Sequence, residues 1–416
     1  MDKMTNTTTV YTEKKEERYI ILFLTGLALY CIGYLLRRIG EETDIIRQPL
    51  QYLGFFILII AAYKSISFRR NHYSTYIQYS MYALLLWHIY TILHNFSITS
   101  ESLMTYFQPY FFFHLFVPLI VFFPTDKLVH YFIRWGLICI PFFFIFGILF
   151  IVPLFKNQSF TEQFVWVLGT TPAFLYLISP YLRNKNILYA GIITALSVLI
   201  PTIMARRNLM LTYGNFFILG TLILSISKLK HHIQEKMIGI LFLCISCFAL
   251  YAFFSSGDLG IFQKIYDRIS VNNREELFIS FIEDMSQKDW IIGKGIDGTY
   301  YAPGIDGQEF DSVEDKDDRF LIECGYLQVI LKGGVVNLIL LLNIFISAIY
   351  LGLFKSKNKF CKIAGFVILL WLIDMFPWGM PALDFRYLLV WICSAICINK
   401  NIRNFSEEQI TKYFAL

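Results

Sequence analysis

The stretch SSGDLGIFQKIYDRISVNNREELFISFIEDMSQKDWIIGKGIDGTYYAPGIDGQEFDSVEDKDDRF (residues 255–320) decides how this chain is read. It is polar, charged and rich in Gly. It stands between two apolar runs, MIGILFLCISCFALYAFF (237–254) and VVNLILLLNIFISAIYLGLF (335–354). Each run is about as long as the helix that crosses roughly 30 Å of hydrocarbon. The insert therefore reads as one large loop held outside a bilayer by the spans on either side.

Moving outward, further apolar runs fall at 19–36, 49–66, 76–93, 107–124, 132–153, 164–180, 187–204, 209–227, 361–377 and 384–399. With the two that flank the loop they make about twelve spans, an even count that puts both termini on one side. Pro109 and Pro118 break the pattern of 107–124. A chain that is 56% hydrophobic and 16% charged, with mean hydropathy +0.55, is not a soluble globular domain. The expected fold class is an all-α polytopic membrane protein. An N-terminal bundle covers 1–254, the external loop with its short helices 255–333, and the C-terminal spans and tail 334–416.

Basic residues set the orientation. With the N-terminus inside, the inside segments hold Lys14, Lys15, Arg18, Lys64, Arg69, Arg70, Lys127, Arg134, Arg183, Lys185, Lys228, Lys230, Lys236, Lys355, Lys357, Lys359, Lys362, Lys400 and Arg403. The short outside loops hold only Arg37, Arg38, Arg47, Lys156, Arg206 and Arg207. This asymmetry follows the positive-inside rule and places both termini in the cytoplasm and the long loop outside. Lys14, Lys15 and Arg18 precede a run too long for a signal-peptide core, so 19–36 reads as a retained span. Cys244 and Cys247 have CxxC spacing but lie within an apolar run without polar company, which reads as helix packing rather than a metal or redox site.

The outside arginines run against the bias of the chain. Arg206-Arg207 occupies a very short connection, and two readings stand: snorkelling anchors, or an anion site on the outer face. Arg37-Arg38 carries the same two readings. Within the loop, Leu277, Phe278, Phe281, Ile282 and Met285 fall at helical spacing behind Asn273, which suits an N-cap. Arg274 then sits in the first turn, where the helix dipole disfavours a cation unless it and the free N–H groups share an anion. Pairing with Glu275 or Glu276 is its other reading. The tetrad Gly295-Ile296-Asp297-Gly298 recurs as Gly304-Ile305-Asp306-Gly307, and both copies read as turns. The acidic stretch Asp311–Asp318 lacks the Gly and terminal Glu of an EF-hand and reads as solvated loop. A second helix is expected from Asp318 to Lys332, ending at Gly333-Gly334 and carrying an isolated carboxylate, Glu323. Asp374, Asp384 and Arg386 fall near the outer ends of their spans. Ionisable groups at membrane depth lean towards function, though Asp384 and Arg386 are close enough to pair with each other.

In order, the chain shows Arg206-Arg207 in a short outer loop, a large outer loop with Arg274 opening a helix, then Trp290-Ile-Ile-Gly-Lys-Gly and Glu323-Cys-Gly-Tyr-Leu-Gln-Val-Ile-Leu-Lys-Gly-Gly-Val-Val. This resembles the O-antigen ligase and O-antigen polymerase superfamily of bacterial envelope glycosyltransferases. The specific part of the resemblance covers roughly 205–336; elsewhere span count and topology agree. It implies a glycosyltransferase type C-like fold in the bacterial inner membrane, acting at the periplasmic face without a metal or other cofactor. The implied donor is an oligosaccharide on undecaprenyl diphosphate. Arg206, Arg207 and Arg274 match the family's diphosphate-holding arginines, and Glu323 stands where ligases carry a His before a Tyr-Leu pair. That departure favours a polymerase of repeat units for O-antigen, capsule or exopolysaccharide.

On this reading Arg274 and Glu323 are the catalytic candidates, Arg206, Arg207 and Arg274 bind diphosphate, and Arg37, Arg38, Arg319, Tyr326, Asp374 and Arg386 support them. Expected partners are the lipid-linked oligosaccharide, membrane lipid, and chain-length regulator and flippase proteins, with no nucleic acid. Two other readings remain: a ligase moving finished glycan to lipid A core or protein, and a flippase or transporter for lipid-linked sugars. Against the last, no internal repeat is visible, and the suspicious charges cluster near one face.

Overall fold

The computed structural model describes residues 2–37, 39, 44–65, 73–98, 106–111, 113–204, 206–227, 273–303 and 317–414, with side chains from Glu16 onward in the first segment. The expected span at 237–254, with Cys244 and Cys247, lies outside the described residues. So do Arg38, the second Gly-Ile-Asp-Gly tetrad and most of the acidic stretch.

The described chain is mostly helical. Long helices are α1 (Asp2–Leu36), α2 (Asp44–Ser65), α3 (Thr75–Leu93) and α4 (Thr125–Leu149). A broken helical stretch follows: α5 (Ile151–Lys156), α6 (Gln158–Phe164), a π segment (Val165–Gly169) and α7 (Thr170–Leu177). Next come α8 (Asn184–Ile203), α9 (Arg207–Ser227), and the short α10 (Asn273–Asp284) and α11 (Gln287–Ile292). The C-terminal part is α12 (Gly325–Phe354), α13 (Lys359–Asp374), α14 (Phe385–Ile398), α15 (Lys400–Asn404) and α16 (Glu407–Phe414). Among the described residues, five helices are long and apolar enough to cross a membrane: 16–36, 125–149, 184–203, 207–226 and 325–354. The chain is a multi-pass helical membrane protein by that measure.

Two expectations are corrected. The segment 107–124 is no regular span: it holds a 3₁₀ helix at Phe113–Phe122, ten residues long with Pro118 inside. At about 2 Å rise per residue it covers roughly 20 Å, short of the hydrocarbon thickness. The helix expected from Asp318 does not start there. Asp318–Arg319 form a strand, β2, paired antiparallel with β1 (Tyr300–Tyr301), and helix begins only at Gly325. Nor does it stop at Gly333-Gly334. The chain kinks at Gly334 (φ 70°, ψ −179°) and continues as helix to Phe354.

Hydrogen bonds between distant segments sort the helix ends into two groups. At one end Glu16 of α1 pairs with Lys127 at the start of α4, Tyr73 before α3 bonds Thr125, and Tyr181 after α7 donates to Glu407 of α16. Asn358 before α13 donates to the carbonyl of Ile402 in α15. At the other end Gln51 of α2 and Tyr30 of α1 both donate to the Phe107 carbonyl, Leu383 N–H bonds the Pro109 carbonyl, and Gly325 N–H bonds the Met375 carbonyl. Helix starts and stops therefore alternate between two faces, as a multi-pass bundle requires. Close approach of α1 to α2 rests on small residues: a Cβ on Gly54 would lie 2.4 Å from the Tyr30 nitrogen.

The polar segment is docked onto the second end. Leu277 and Phe281 of α10, with Met285 just after it, are buried against Tyr300, Ile322, Ile330 and Leu331, whereas Ile282 is exposed. A capping box of Ser286 and Asp289 starts α11. After Gly293 the chain enters the Gly295–Gly298 turn, which joins both halves of the bundle. Its Lys294 and Gly295 N–H groups bond the carbonyls of Leu331 and Lys332 in α12, and Ile296 N–H bonds Thr91 in α3. Asp297 Oδ2 accepts from Ser97 N at 3.1 Å, from Ser97 Oγ at 2.9 Å, and from the Tyr106 hydroxyl. Burial and hydrogen bonding to Asp297 push the Tyr106 phenol up from its ordinary range.

Candidate functional site

The second end of the bundle gathers ionisable side chains from four separate parts of the sequence. Asp384 is the N-cap of α14, its Oδ1 accepting from Tyr387 N at 2.9 Å. That cap fixes the carboxylate, and the first-turn Arg386 folds back on it: Nε and Nη2 both donate to Asp384 Oδ2, at 2.9 and 2.7 Å. The other face of the guanidinium problem is solved by an aromatic. The Arg386 Cζ lies 3.7 Å from the ring centroid of Trp166, in the π segment. A π segment shifts helix register locally and is frequent at functional sites; here it brings an indole against the arginine.

Asp374, the last residue of α13, faces the same region. Its Oδ1 accepts from Thr212 Oγ1 of α9 at 2.9 Å. Thr170 Oγ1 and the Tyr213 hydroxyl are 2.7 Å apart nearby. Asp374, Arg386, Thr212, Thr170 and Asn215 line one cavity of about 30 Å³, with apolar walls from α9, α13 and α14. That volume holds roughly two water molecules. Arg386 already satisfies Asp384, and among the described residues no lysine or arginine reaches within ion-pair distance of Asp374.

Of the residues singled out in the sequence, Arg206 lies just before α9 with Nη1 3.1 Å from Glu162 Oε1 on α6. Arg207 is the first residue of α9 and is engaged by neighbours. Thr212 follows Arg206 by less than two helical turns, about 9 Å of rise. Glu323 lies half-buried in the link between β2 and α12, and it too is engaged. Cys324 and Gly325 beside it bond the carbonyl of Met375, the residue after Asp374. Tyr326 donates to the Leu372 carbonyl at 2.7 Å, tying α12 to α13. The starts of α9, α12 and α14 and the end of α13 thus bring Arg206, Arg207, Glu323, Asp374 and Arg386 to one end of the molecule.

The remaining candidates are placed elsewhere or less fully. Arg274 is in the first turn of α10, with its side chain outside the described residues; Asn273 is the first helical residue there. Arg37 follows the end of α1. Arg319 is buried, 3% exposed, in β2 rather than in a helix. Among the described residues no group of three or more His, Cys, Asp or Glu side chains could hold a metal ion.

Sequence reasoning missed a second buried polar group. Lys332, 3% exposed, donates from Nζ to the carbonyls of Ile296 (3.1 Å) and Gly298 (2.8 Å). Its ammonium lies 5.2 Å and 5.5 Å from the Phe111 and Phe320 ring centroids. His88 and His114 are buried in adjoining helices, with His88 Nδ1 bonded to the Leu115 carbonyl at 2.9 Å. One charge directly after the run Tyr326–Leu331 and two histidines within apolar runs were the available signals. No family model, no curated protein and no solved structure matches the chain.

Proposed function

We propose that the chain is a membrane glycosyltransferase that polymerises oligosaccharide repeat units carried on undecaprenyl diphosphate, acting at the external face of the bacterial inner membrane. About twelve crossings and a type C-like arrangement belong to the same proposal. The observation that carries it is the convergence at one end of the bundle of arginines and carboxylates from four chain segments, on the end where the polar 273–303 segment docks. The basic residues Lys127, Arg183, Lys355, Lys357, Lys359 and Arg403 collect towards the opposite end, which the positive-inside rule makes cytoplasmic.

The chemistry asks for two things. The lipid diphosphate is a leaving group, and charge grows on its phosphate oxygens as it departs. Arginine stays protonated and presents a planar fork of donors to such oxygens, so Arg206, Arg207 and Arg274 serve as transition-state stabilisers. The attacking sugar hydroxyl must also lose its proton to a base, a contribution of roughly 10²–10⁴-fold; Glu323 is the sequence-based candidate. In-line attack inverts the anomeric centre.

The test supplies purified protein in vesicles with lipid-linked repeat units. Wild type is expected to give polymer ladders, and Arg274→Ala and Arg206→Ala to abolish them while still inserting. A single transfer product would mark a ligase instead. Full ladders from both well-expressed variants would remove the arginines from the site.

A further inference from the structure

We propose that Asp374, rather than Glu323, is the base that takes the proton from the acceptor sugar's hydroxyl. This rests on the glycosyl-transfer reading and deepens it. Three features of Asp374 are individually unfavourable. Its side chain is buried, only 6% exposed for the residue. It stands at the C-terminus of α13, where the helix dipole disfavours negative charge. Among the described residues no lysine or arginine lies within ion-pair distance of it, and the nearby Arg386 is held by Asp384 through two hydrogen bonds. A fold can lose such a carboxylate more easily than keep it, so its presence points to use.

The surroundings suit proton transfer. Thr212 Oγ1 lies 2.9 Å from Oδ1 and 3.0 Å from the Asn208 carbonyl, so its hydroxyl can orient one oxygen of the carboxylate. The cavity that Asp374 lines, about 30 Å³ with apolar walls, admits a projecting hydroxyl beside the carboxylate. A ring held outside would reach in with one hydroxyl. Arg386 is clamped between Asp384 and Trp166, so its charge stays in place while the proton moves. Glu323, by contrast, lies half-buried on an irregular link and is engaged by neighbours.

The step is balanced without a further reactant. The acceptor oxygen forms a bond to the anomeric carbon of the lipid-linked chain. The bond from that carbon to the diphosphate oxygen breaks, and its electron pair leaves with the diphosphate. The acceptor hydroxyl's proton passes to Asp374, which later releases it to water.

The experiment uses the full-length protein in vesicles with lipid-linked repeat units as donor and acceptor. Asp374→Asn keeps the shape and can still accept from Thr212. It is expected to lower kcat by about 10²–10⁴-fold with KM for the donor within about threefold of wild type. Asp374→Glu should recover part of the loss. Thr212→Val, which removes only the orienting donor, should lower kcat with KM unchanged, and it serves if Asp374→Asn fails to fold. An Asp374→Asn protein with more than a third of wild-type kcat, a Thr212→Val protein with wild-type kcat, or a larger kcat loss in Glu323→Gln would overturn the assignment while leaving the glycosyl-transfer reading intact. Absence of any product from folded wild type would overturn both.

Discussion

Lys332 carries its amino group into the interior at the start of a long apolar helix, where an unpaired polar group would be expensive. Two carbonyls of the Gly295–Gly298 turn and the faces of Phe111 and Phe320 replace its water. Its work is therefore positional: it pins the turn to α12. Replacing it by Met keeps the length and removes the donors, leaving the Ile296 and Gly298 carbonyls without them. The expected cost is about 1–3 kcal/mol. Hydrogen exchange over residues 290–298 should speed up in Lys332→Met and stay slow over α13 and α14. Unchanged protection of the turn would show that the lysine does not hold it. At this scale the sequence was partly readable. Arg386 with Asp384 was visible as a pair two residues apart, and the structure pairs them. The partners of Lys332 lie 34 and 36 residues away, so no local pattern could announce them.

At the scale of elements, the kink in α12 shows what glycine permits. Gly334 adopts φ 70° with ψ near 180°, a region essentially closed to other residues, and a Cβ there would sit 2.1 Å from the Ile291 carbonyl oxygen. Gly334→Ala should cost more than about 2 kcal/mol and lower the yield of folded protein on size-exclusion chromatography. Gly214→Ala is the control: it sits in α9 with nothing within 4 Å of a Cβ, so the change should be neutral or mildly stabilising. Equal behaviour of the two variants would contradict the argument. The same element explains a misreading. Gly333-Gly334 has the look of a helix stop, and backbone geometry does break there, but packing of α11 into the kink lets helix resume at once. Likewise Asp318–Arg319 read as the start of the second helix; pairing with Tyr300 and Tyr301 made them a strand. Apolar runs around 187–204, 209–227 and 335–354 were legible because length and hydropathy are local properties. Within the run expected at 164–180 the π segment Val165–Gly169, and before it the break at Asn157, were not legible, since both answer to tertiary packing.

For the molecule as a whole, the alternation of helix ends predicts which surface faces which compartment. Lys288 of α11 and Lys412 of α16 are both exposed and lie at opposite ends of the bundle. With Lys288→Cys, a membrane-impermeant maleimide should label intact cells well above the wild-type background. With Lys412→Cys, labelling should appear only after the membrane is opened. The reverse pattern would invert the orientation, and with it the compartment of the site.

The docked turn also has a consequence for how the chain is made. Asn95 bonds the carbonyl of Lys294, and Ser97 bonds Asp297, across 199 and 200 residues of sequence. At ordinary rates of synthesis that gap is roughly ten to forty seconds. The far tip of α3 is thus made early and sealed late, after the long apolar helices 125–149, 184–203 and 207–226 have been synthesised. Biogenesis of this protein closes from the C-terminal side, like a case whose latch is fitted last.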